Sequence, residues 1–252
     1  MSDLYWLTDE QMERLRPYFP KSHGKPRVDD RRVLSGIVFV NRNRLRWRDA
    51  PKDYGPHKTL YNRWKRWSER GVFVRIMEGL AAAGAECKTV MIDAIYLKAH
   101  RTTSSLRNKK GNLGRLIGRT KGGMNTKLHA VADANGRPLS FFMTAGQVSD
   151  YTGAAALLDD LPKAKWLLGD RGYDADWFKD ALQAKGIQPC IPGRKSRNLP
   201  VKYDKRRYRR RCRIEIMFGR LKDWRRVATR YDRCPTAFFS AIALAATVTF
   251  WL

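Results

Sequence analysis

Three acidic residues, Asp93, Asp170 and Glu215, have the types and positions that a phosphoryl-transfer site acting on nucleic acid requires. Asp93 and Asp170 each end an apolar run, at 89–93 and 166–170. Such runs predict buried strands that carry a carboxylate to the edge of a sheet. Glu215 lies in the segment 208–222, which has helical character.

The charge of the chain indicates what these acids would act on. Lysine and arginine total 51 against 24 aspartate and glutamate residues, which gives a formal net charge of +27. Such an excess favours a polyanionic partner, and nucleic acid matches it better than an anionic membrane surface. With 252 residues and 43% hydrophobic content, the chain can bury one large core or two small ones, so disorder of the whole chain is excluded.

Other classes of protein find little support in the sequence. The four cysteines are scattered without a paired spacing, so neither a zinc site nor a disulfide framework is expected. The first ten residues lack the basic and apolar regions of a signal peptide, which predicts a cytoplasmic protein. The apolar segment 237–252 is shorter than the roughly 20 residues of a membrane span, so we interpret it as a buried helix.

The helix around Glu215 has a polar face and an apolar face. At about 100° per residue, Tyr208, Arg211 and Lys222 all fall within roughly 40° of Glu215. One face can therefore pack on a sheet while the other presents a carboxylate beside a phenol, a guanidinium and an ammonium group. Taken alone, the pattern also fits an exposed helix with an ordinary i,i+4 Arg–Glu pair, which contributes little to stability. The apolar stripe consists of Ile214, Met217, Leu221 and Trp224.

The chain divides at about residues 84–88, where a stretch rich in Ala and Gly ends, into residues 1–84 and residues 85–252. The first region predicts four helices. The second predicts the order β, β-hairpin, α, β, α, β, α, α, with Asn135-Gly136 as the turn of the hairpin. We therefore predict an α/β fold, a mixed sheet flanked by helices, preceded by a small all-α domain.

The third helix of the first region, predicted at 58–70, is amphipathic and basic. Its apolar stripe lies apart from its basic residues, so the helix is similar to the recognition helix of a helix-turn-helix module. The alternative is a small helical bundle whose basic residues are only solvated. The DNA contacts expected from this helix are Arg63, Lys65 and Arg66.

Residues 208–222 match the Tyr-x2-Arg-x3-Glu-x6-Lys signature of insertion-sequence families four and five at all four positions. The segment 169–174 resembles the one that holds the second Asp of that family, and 90–93 resembles the one that holds the first. Over nearly its whole length the chain resembles a DDE transposase of a bacterial insertion sequence. The resemblance implies a ribonuclease-H-like catalytic domain.

The resemblance also implies a cofactor. Asp93, Asp170 and Glu215 would hold Mg²⁺, with Mn²⁺ as a substitute, and two ions would activate the attacking oxygen and stabilise the leaving one. Arg211 and Lys222 would hold phosphates near the ions. The residue that would orient a phosphate or a base is Tyr208.

The implied substrate is double-stranded DNA. A transposase would bind the terminal inverted repeats of its element, cleave there and join the ends to target DNA, as a homodimer or a higher oligomer. Two alternatives stay open: a catalytically weak or domesticated DNA-binding descendant, and a simple metal-dependent nuclease.

Two cationic stretches are candidates for holding DNA. Eleven basic residues between 194 and 213 surround a single acid. Between Asp93 and Asp133 no acid occurs while lysines and arginines accumulate, which predicts a mobile loop that orders on DNA, or else one that is merely solvated. The contacts expected from the first stretch are Arg206, Arg207 and Arg210.

Other acids and two histidines compete with the three carboxylates. The competing acids stand at predicted helix starts or in a loop, where capping is the usual reason for Asp, and Asp150 is the strongest of them. Histidines in isolation are more often structural, although two of them could reach the site. The full set is Asp150, Asp159, Asp160, Asp174, Asp176, His100 and His129.

Overall fold

The computed structural model of the protein describes residues 3–21, 28–104 and 112–252. The chain forms two compact units, one made of residues 1–80 with 221–252 and the other of residues 81–220. Each unit is described by itself below.

Helices make up the N-terminal part of the first unit: α1 Asp9–Leu15, α2 Asp30–Asn43, α3 His57–Glu69 and α4 Val72–Gly84. Thr8 caps α1, because its hydroxyl accepts a hydrogen bond from the Gln11 N–H at 3.1 Å. The apolar stripe of α3 is almost fully buried and packs on Phe73 of α4. The stripe consists of Leu60, Trp64 and Trp67.

The connection between α2 and α3 is longer than the three- to four-residue turn of a helix-turn-helix motif. Residues 44–56 form it, and they contain two 3-10 turns, at Trp47–Asp49 and Lys52–Tyr54. The helical character predicted for this region is confirmed. The role of α3 as a recognition helix stays a prediction.

The sheet lies in the second unit, where its strands are β1 Thr89–Ala99, β2 Gly118–Thr120, β3 Gly123–Ala132, β4 Pro138–Ala145, β5 Trp166–Leu168 and β6 Gln188–Cys190. The helices around it are α5 Arg101–Ser104, α6 Asp150–Leu158, α7 Asp176–Ala184, α8 Lys205–Tyr208 and α9 Cys212–Lys222. The chain ends, in the first unit, with α10 Arg225–Ala228, β7 Thr229–Arg230 and α11 Pro235–Ala246, followed by a π-helical turn over Thr247–Trp251.

The strands of the second unit follow the order β4–β3–β1–β5–β6, with the short β2 beside the start of β3. β3 is antiparallel to both β4 and β1, whereas β1, β5 and β6 run parallel to one another. The hairpin between β3 and β4 turns at Asn135-Gly136, as predicted, and Gly136 takes a φ of 80° that favours glycine. The predicted mixed α/β architecture is confirmed.

One face of this sheet carries the core of the unit. Val90, Ile92 and Val131 extend from β1 and β3 and have no exposed surface. Phe178 and Leu182 of α7 pack against the same cluster. Residues on one face of β1 thus alternate with residues that point to the other face, among them Asp93.

The loop predicted between the first strand and the hairpin is wrong for several of its described residues. β1 continues to Ala99 because β3 supplies an antiparallel partner as far as the pair Lys98–Asn125. Residues 101–104, 112–115 and 118–120 also form regular structure. Residues 105–111, which carry part of the basic charge of this stretch, lie outside the described residues.

The helix predicted around Glu215 is interrupted in the segment 208–222. A 3-10 turn at Arg209–Arg211 separates α8 from α9. Like charges stand three and four residues apart here, which disfavours a regular α-helix. These charges belong to the arginines at 206, 207, 209, 210, 211 and 213. The predicted apolar stripe is confirmed, since Ile214, Met217, Leu221 and Trp224 are all at most 4% exposed.

The C-terminal segment packs with the N-terminal helices. Most residues of α11 are buried, and the helix contacts both α2 and α3. A helix that is apolar on all sides needs cover all round, and in this unit the helices provide it. The division predicted at residue 84 assigned the segment to the catalytic region; that boundary stays a prediction. None of the helices in the described part of the chain is long and apolar enough to span a bilayer.

Candidate active site

Two neighbouring parallel strands bring Asp93 and Asp170 together. Met91 of β1 pairs with Leu168 of β5, and each aspartate lies two residues beyond its member of that pair. Because side chains alternate along a strand, both carboxylates belong to the same face and the same edge. The prediction that they share a sheet edge follows from this register.

The sequence predicted Asp93 at the end of its strand, but the strand continues beyond it. β1 runs on to Ala99 in its pairing with β3, while its pairing with β5 stops before Asp93. The carboxylate therefore lies where one neighbour ends and the other continues. Only about a sixth of its side chain is exposed, at 17%.

Asp170 caps the short turn that follows β5. Its Oδ1 accepts a hydrogen bond from the Gly172 N–H at 2.8 Å, at the start of a 3-10 turn over Arg171–Tyr173. A side-chain carbon on residue 172 would lie only 2.8 Å from that Oδ1. Glycine at 172 therefore allows the carboxylate and the turn to approach this closely.

Arg211 links the remaining members of the site. Its guanidinium donates to Oδ2 of Asp93 at 2.7 Å and also to Oε1 of Glu215. The same guanidinium lies 5.8 Å from the centre of the Tyr208 ring. Three of the four signature residues are thus in contact, and one of them reaches a carboxylate 118 residues away in sequence.

Lys222, the fourth signature residue, is the last residue of α9. Its partial burial lowers the pKa of its ammonium group. The structure thus places Lys222 on the helix of Glu215 but gives no bond between the two in the described residues.

Burial dominates the electrostatics of Asp93. It raises the pKa of this carboxyl to about 6, the guanidinium of Arg211 acts against the rise, and the charge of Asp170 adds to it. Tyr173 lies beneath these groups, and burial together with the charges of Asp150, Asp93 and Asp170 raises the pKa of its phenol. Asp93, Asp170 and Glu215 outnumber the one guanidinium, that of Arg211, which pairs with two of them at this edge of the sheet.

This excess of carboxylate fits a hard cation. Oxygen ligands from Asp and Glu are the donors that Mg²⁺ and Mn²⁺ prefer. In the described residues, however, no three His, Cys, Asp or Glu side chains lie close enough together to hold one metal ion. The positive charge between Asp93 and Glu215 is the Arg211 guanidinium, which stands where a cation would neutralise both carboxylates.

Asp150 lies closer to the site than the other competing acids. Its Oδ2 is 3.5 Å from the position of a side-chain carbon at residue 172, beside Oδ1 of Asp170. Its Oδ1 pairs at 3.0 Å with Lys127, whose side chain is 6% exposed. Asp174 is buried in a cluster with Lys179 and Arg197. Burial acts to raise the pKa of its carboxyl, but the hydrogen bonds from Arg197 and Lys179 outweigh it and lower the pKa to about 2.

The remaining competing residues have structural or exposed positions. Asp159, Asp160 and Asp176 are exposed. His129 is fully buried in β3, where burial lowers the pKa of its imidazole to about 4. His100 exchanges a hydrogen bond with Thr102 at 2.9 Å. None of these contacts in the described residues joins the three carboxylates.

The structure divides the predicted basic DNA contacts of α3 and the 194–213 stretch into exposed residues and residues whose guanidinium groups have intramolecular partners. Arg63 is only 7% exposed. Its guanidinium pairs with Asp30 and lies 5.1 Å from the Trp67 ring centre. Arg207 lies 4.1 Å from the Trp166 ring centre and pairs with Asp204 at 3.4 Å. The exposed residues are Lys65, Arg66, Arg206 and Arg210.

Sequence comparison extends over both parts of the chain. Residues 88–251 match the family described as "Transposase DDE domain", and residues 7–77 match "Putative transposase of IS4/5 family". A "Putative transposase for insertion sequence element IS6501" of Brucella ovis is 37% identical over 131 residues, covering 51% of this chain and 99% of the relative. A "Putative transposase for insertion sequence element IS402" of Burkholderia cepacia is 37% identical over 82 residues, covering 28% of this chain and 39% of the relative.

A solved structure supports the fold. The piggyBac transposase in a synaptic complex with hairpin DNA aligns over 97% of this chain and 72% of its own, with a TM-score of 0.53 and 9% identity. At this identity the likeness concerns the fold alone. The antiparallel strands β4, β3 and β1 followed by the parallel β5 and β6 form a ribonuclease-H-like sheet. This fold agrees with the family match over residues 88–251, which shows that the chain belongs to the transposase DDE domain family.

Proposed function

We propose that this transposase cleaves DNA at the ends of its insertion sequence and joins them to target DNA through Asp93, Asp170 and Glu215. The observation that carries the proposal is the equivalent placement of Asp93 and Asp170 on parallel strands, with Glu215 connected to Asp93 through Arg211. The surplus of carboxylate at a single edge suits cation-assisted attack on a phosphodiester.

Divalent cations would be held by the oxygens of Asp93, Asp170 and Glu215. When bound, Mg²⁺ or Mn²⁺ supplies activation of the attacking oxygen and stabilisation of the leaving one, and two ions would suffice for both. Bound cations would take over the carboxylate oxygens that Arg211 now contacts, which would leave its guanidinium free to hold a phosphate beside them. Lys222 and Tyr208 complete the phosphate contacts.

The test of this assignment is strand cleavage by isosteric variants. Asp93→Asn, Asp170→Asn and Glu215→Gln should each abolish Mg²⁺-dependent cleavage of DNA that carries both ends of the element, while DNA binding is retained. The matched control is Asp159→Asn, because Asp159 is 94% exposed and remote from the sheet edge. Normal cleavage by any of the three variants would refute the triad.

Joining of the cleaved ends separates a transposase from a simple nuclease. Incubation with a supercoiled target plasmid should give products in which the element ends are covalently attached to the plasmid. A domesticated DNA-binding descendant would bind the ends without either reaction. Cleavage without any joined product would favour the nuclease.

We also propose that exposed basic residues hold the duplex. Lys65 and Arg66 on α3 and Arg206 and Arg210 beside α9 are accessible, and each phosphate contact contributes salt-dependent affinity. Arg63 and Arg207 are left out because intramolecular partners occupy their guanidinium groups.

Point variants test these contacts better than removal of residues 1–84, which would uncover α11. The double variant Lys65→Ala/Arg66→Ala should lose preference for the terminal repeats more than general affinity. Unchanged preference would refute a recognition role for α3.

The proposal includes an assembly and a place of action. Two element ends must be handled together, so a homodimer or larger oligomer on DNA is expected, in the bacterial cytoplasm at the nucleoid. Light scattering of the protein with and without end-bearing DNA measures the assembly. A single protein copy per pair of joined ends would contradict it.

A further inference from the structure

A cavity of about 440 Å³ opens beside Asp170 and has no role in the mechanism above. Its walls come from β1, β2, β3, the start of α6 and the turn that follows Asp170. Its size is in the range of pockets that take a single small ligand. The chemically informative residues of its lining are Tyr96, Arg119, Lys127, Gln147, Tyr151 and Arg194.

One wall is built from an arginine over a tyrosine. The guanidinium of Arg194 lies 4.8 Å from the ring centre of Tyr151 and donates to the carbonyl oxygens of Arg171 at 3.4 Å and Gly172 at 3.2 Å. The backbone N–H of Arg194 donates to Asp174 at 2.8 Å. This arginine is therefore fixed to the same turn that positions Asp170, with its remaining donor group available to an anion.

The floor is an ion pair between the buried Lys127 and the partly exposed Asp150, under an aromatic ring. Lys127 donates to Asp150 at 3.0 Å and to the carbonyl of Val148 at 2.7 Å, and its ammonium lies 5.0 Å from the Tyr96 ring centre. The pair is charge-neutral, so the floor does not repel an anionic ligand. Tyr96 itself is 49% exposed and presents ring surface to the opening.

Gln147 lies in the opposite wall and is exposed. Its Oε1 lies 1.3 Å from the position that a side-chain carbon would take at residue 118, so the end of its side chain packs on the backbone of Gly118. Arg119, the residue after Gly118, is exposed at the rim. The exposed side-chain amide of Gln147 offers a donor and an acceptor to the edge of a base.

We propose that this cavity binds one unpaired nucleotide of the DNA strand undergoing cleavage. Arginines at the rim and wall match its phosphate, the exposed ring of Tyr96 matches a base face, and Gln147 matches a base edge. The position is right for such a ligand because Asp150 on the cavity floor and Asp170 both approach Gly172. The inference rests on the proposed function, since it assumes that DNA occupies the carboxylate site.

Photocrosslinking of the full-length chain tests the location. The probe is a DNA duplex with a short single-stranded tail that carries 5-iododeoxyuridine, and the comparison is the same duplex without unpaired residues. Crosslinked peptides that contain Tyr96 or Tyr151, formed only with the tailed duplex, are the expected result. Crosslinks only elsewhere, or equal crosslinks from the fully paired duplex, would overturn the proposal.

Variants supply the second measurement. Tyr96→Ala should weaken binding of the tailed duplex about fivefold or more, because stacking of one base contributes about 1–3 kcal/mol, whereas Tyr96→Phe keeps the ring and the affinity. Arg119→Ala should weaken it more than Lys163→Ala, which removes an equal charge on the exposed loop before β5. Equal affinities of Tyr96→Ala and the unaltered chain would also overturn the proposal.

These outcomes differ from failure of the proposed function. If the unaltered chain cleaves element ends but Tyr96→Ala behaves like it in binding, only the nucleotide site is refuted. If the cavity is crosslinked but Asp93→Asn still cleaves, the triad is refuted and the nucleotide site stands.

Discussion

Asp174 holds together the segment that carries Asp170 and the segment that carries Arg194, so its replacement tests the scaffold of the site. Its carboxylate has no exposed surface and accepts from Arg197 at 2.6 Å, from Lys179 and from the Arg194 N–H at 2.8 Å. The change Asp174→Asn keeps the shape and removes the charge. We expect it to destabilise the second unit.

The magnitude follows from the pKa. Burial acts to raise the pKa of Asp174, but the hydrogen bonds from Arg197 and Lys179 outweigh it and bring the value from 3.8 to about 2. A shift of this size corresponds to about 2.4 kcal/mol at neutral pH. Arg197 is 30% exposed and the cluster lies near the surface, so solvent screening reduces the expected loss to about 1–2 kcal/mol.

Urea unfolding of both proteins between pH 3 and pH 7 measures this loss. The folded pKa lies below the unfolded one, so the stabilisation is complete above the unfolded value of 3.8 and is lost as the pH falls through about 2. At pH 3, the difference between the two proteins should be about half of its neutral value. The midpoint at each pH is compared at constant ionic strength.

The matched control is Asp176→Asn, because Asp176 also pairs with Arg197 but is 74% exposed. Its loss should stay below about 0.5 kcal/mol. Equal losses for the two variants would refute the argument that burial makes Asp174 the stronger partner. A difference that does not shrink toward pH 3 would refute its electrostatic origin.

Three further predictions concern single residues. Without divalent cations, Asp93→Asn should be more stable than the unaltered chain by up to about 3 kcal/mol at pH 8, because the folded pKa of Asp93 is raised to about 6. The stability that the protonated Asp93 carboxyl contributes is complete below pH 3.8 and is lost as the pH rises through 6. A difference between the two proteins that stays constant with pH in urea unfolding would refute this. Gly172→Ala should push the Asp170 carboxylate aside and reduce Mg²⁺-dependent cleavage by about a hundredfold with DNA binding retained, and undiminished cleavage would show that the close approach is unimportant. Arg63→Met should cost about 2 kcal/mol in thermal or urea unfolding, because it removes the ion pair between the buried Arg63 guanidinium and Asp30, against less than about 0.5 kcal/mol for the exposed Arg66→Met. Similar losses would contradict the structural role of Arg63.

Local sequence pattern was sufficient to predict the parts of the site that depend on periodicity. The apolar runs before Asp93 and Asp170 indicated two strands, and the structure pairs them in parallel. The polar face around Glu215 was predicted from helical spacing, although the 3-10 turn at Arg209–Arg211 changes the angle on which that calculation relied. Contacts among Tyr208, Arg211 and Glu215 survive this change because the three residues remain within two turns.

Contacts between distant segments could not be read from the sequence. Arg63 has the residue type of an exposed DNA contact, yet Asp30 is positioned by another helix to pair with it. Asp150 and Lys127 belong to different elements, and only the fold of β3 against α6 makes them partners. The same limit applies to the length of β1, because a strand continues wherever a neighbour offers hydrogen bonds, and that neighbour begins at Gly123.

The packing of Gln147 on Gly118 has a consequence for substitutions at residue 118. Oε1 of Gln147 lies where a side-chain carbon at residue 118 would stand, and the backbone N of Gly146 lies 3.0 Å from the same point. Because the amide is the far end of a flexible, exposed side chain, Gly118→Ala would turn Gln147 to another rotamer and leave the strand in place. A substitution at 118 would therefore reshape the wall of the cavity through Gln147.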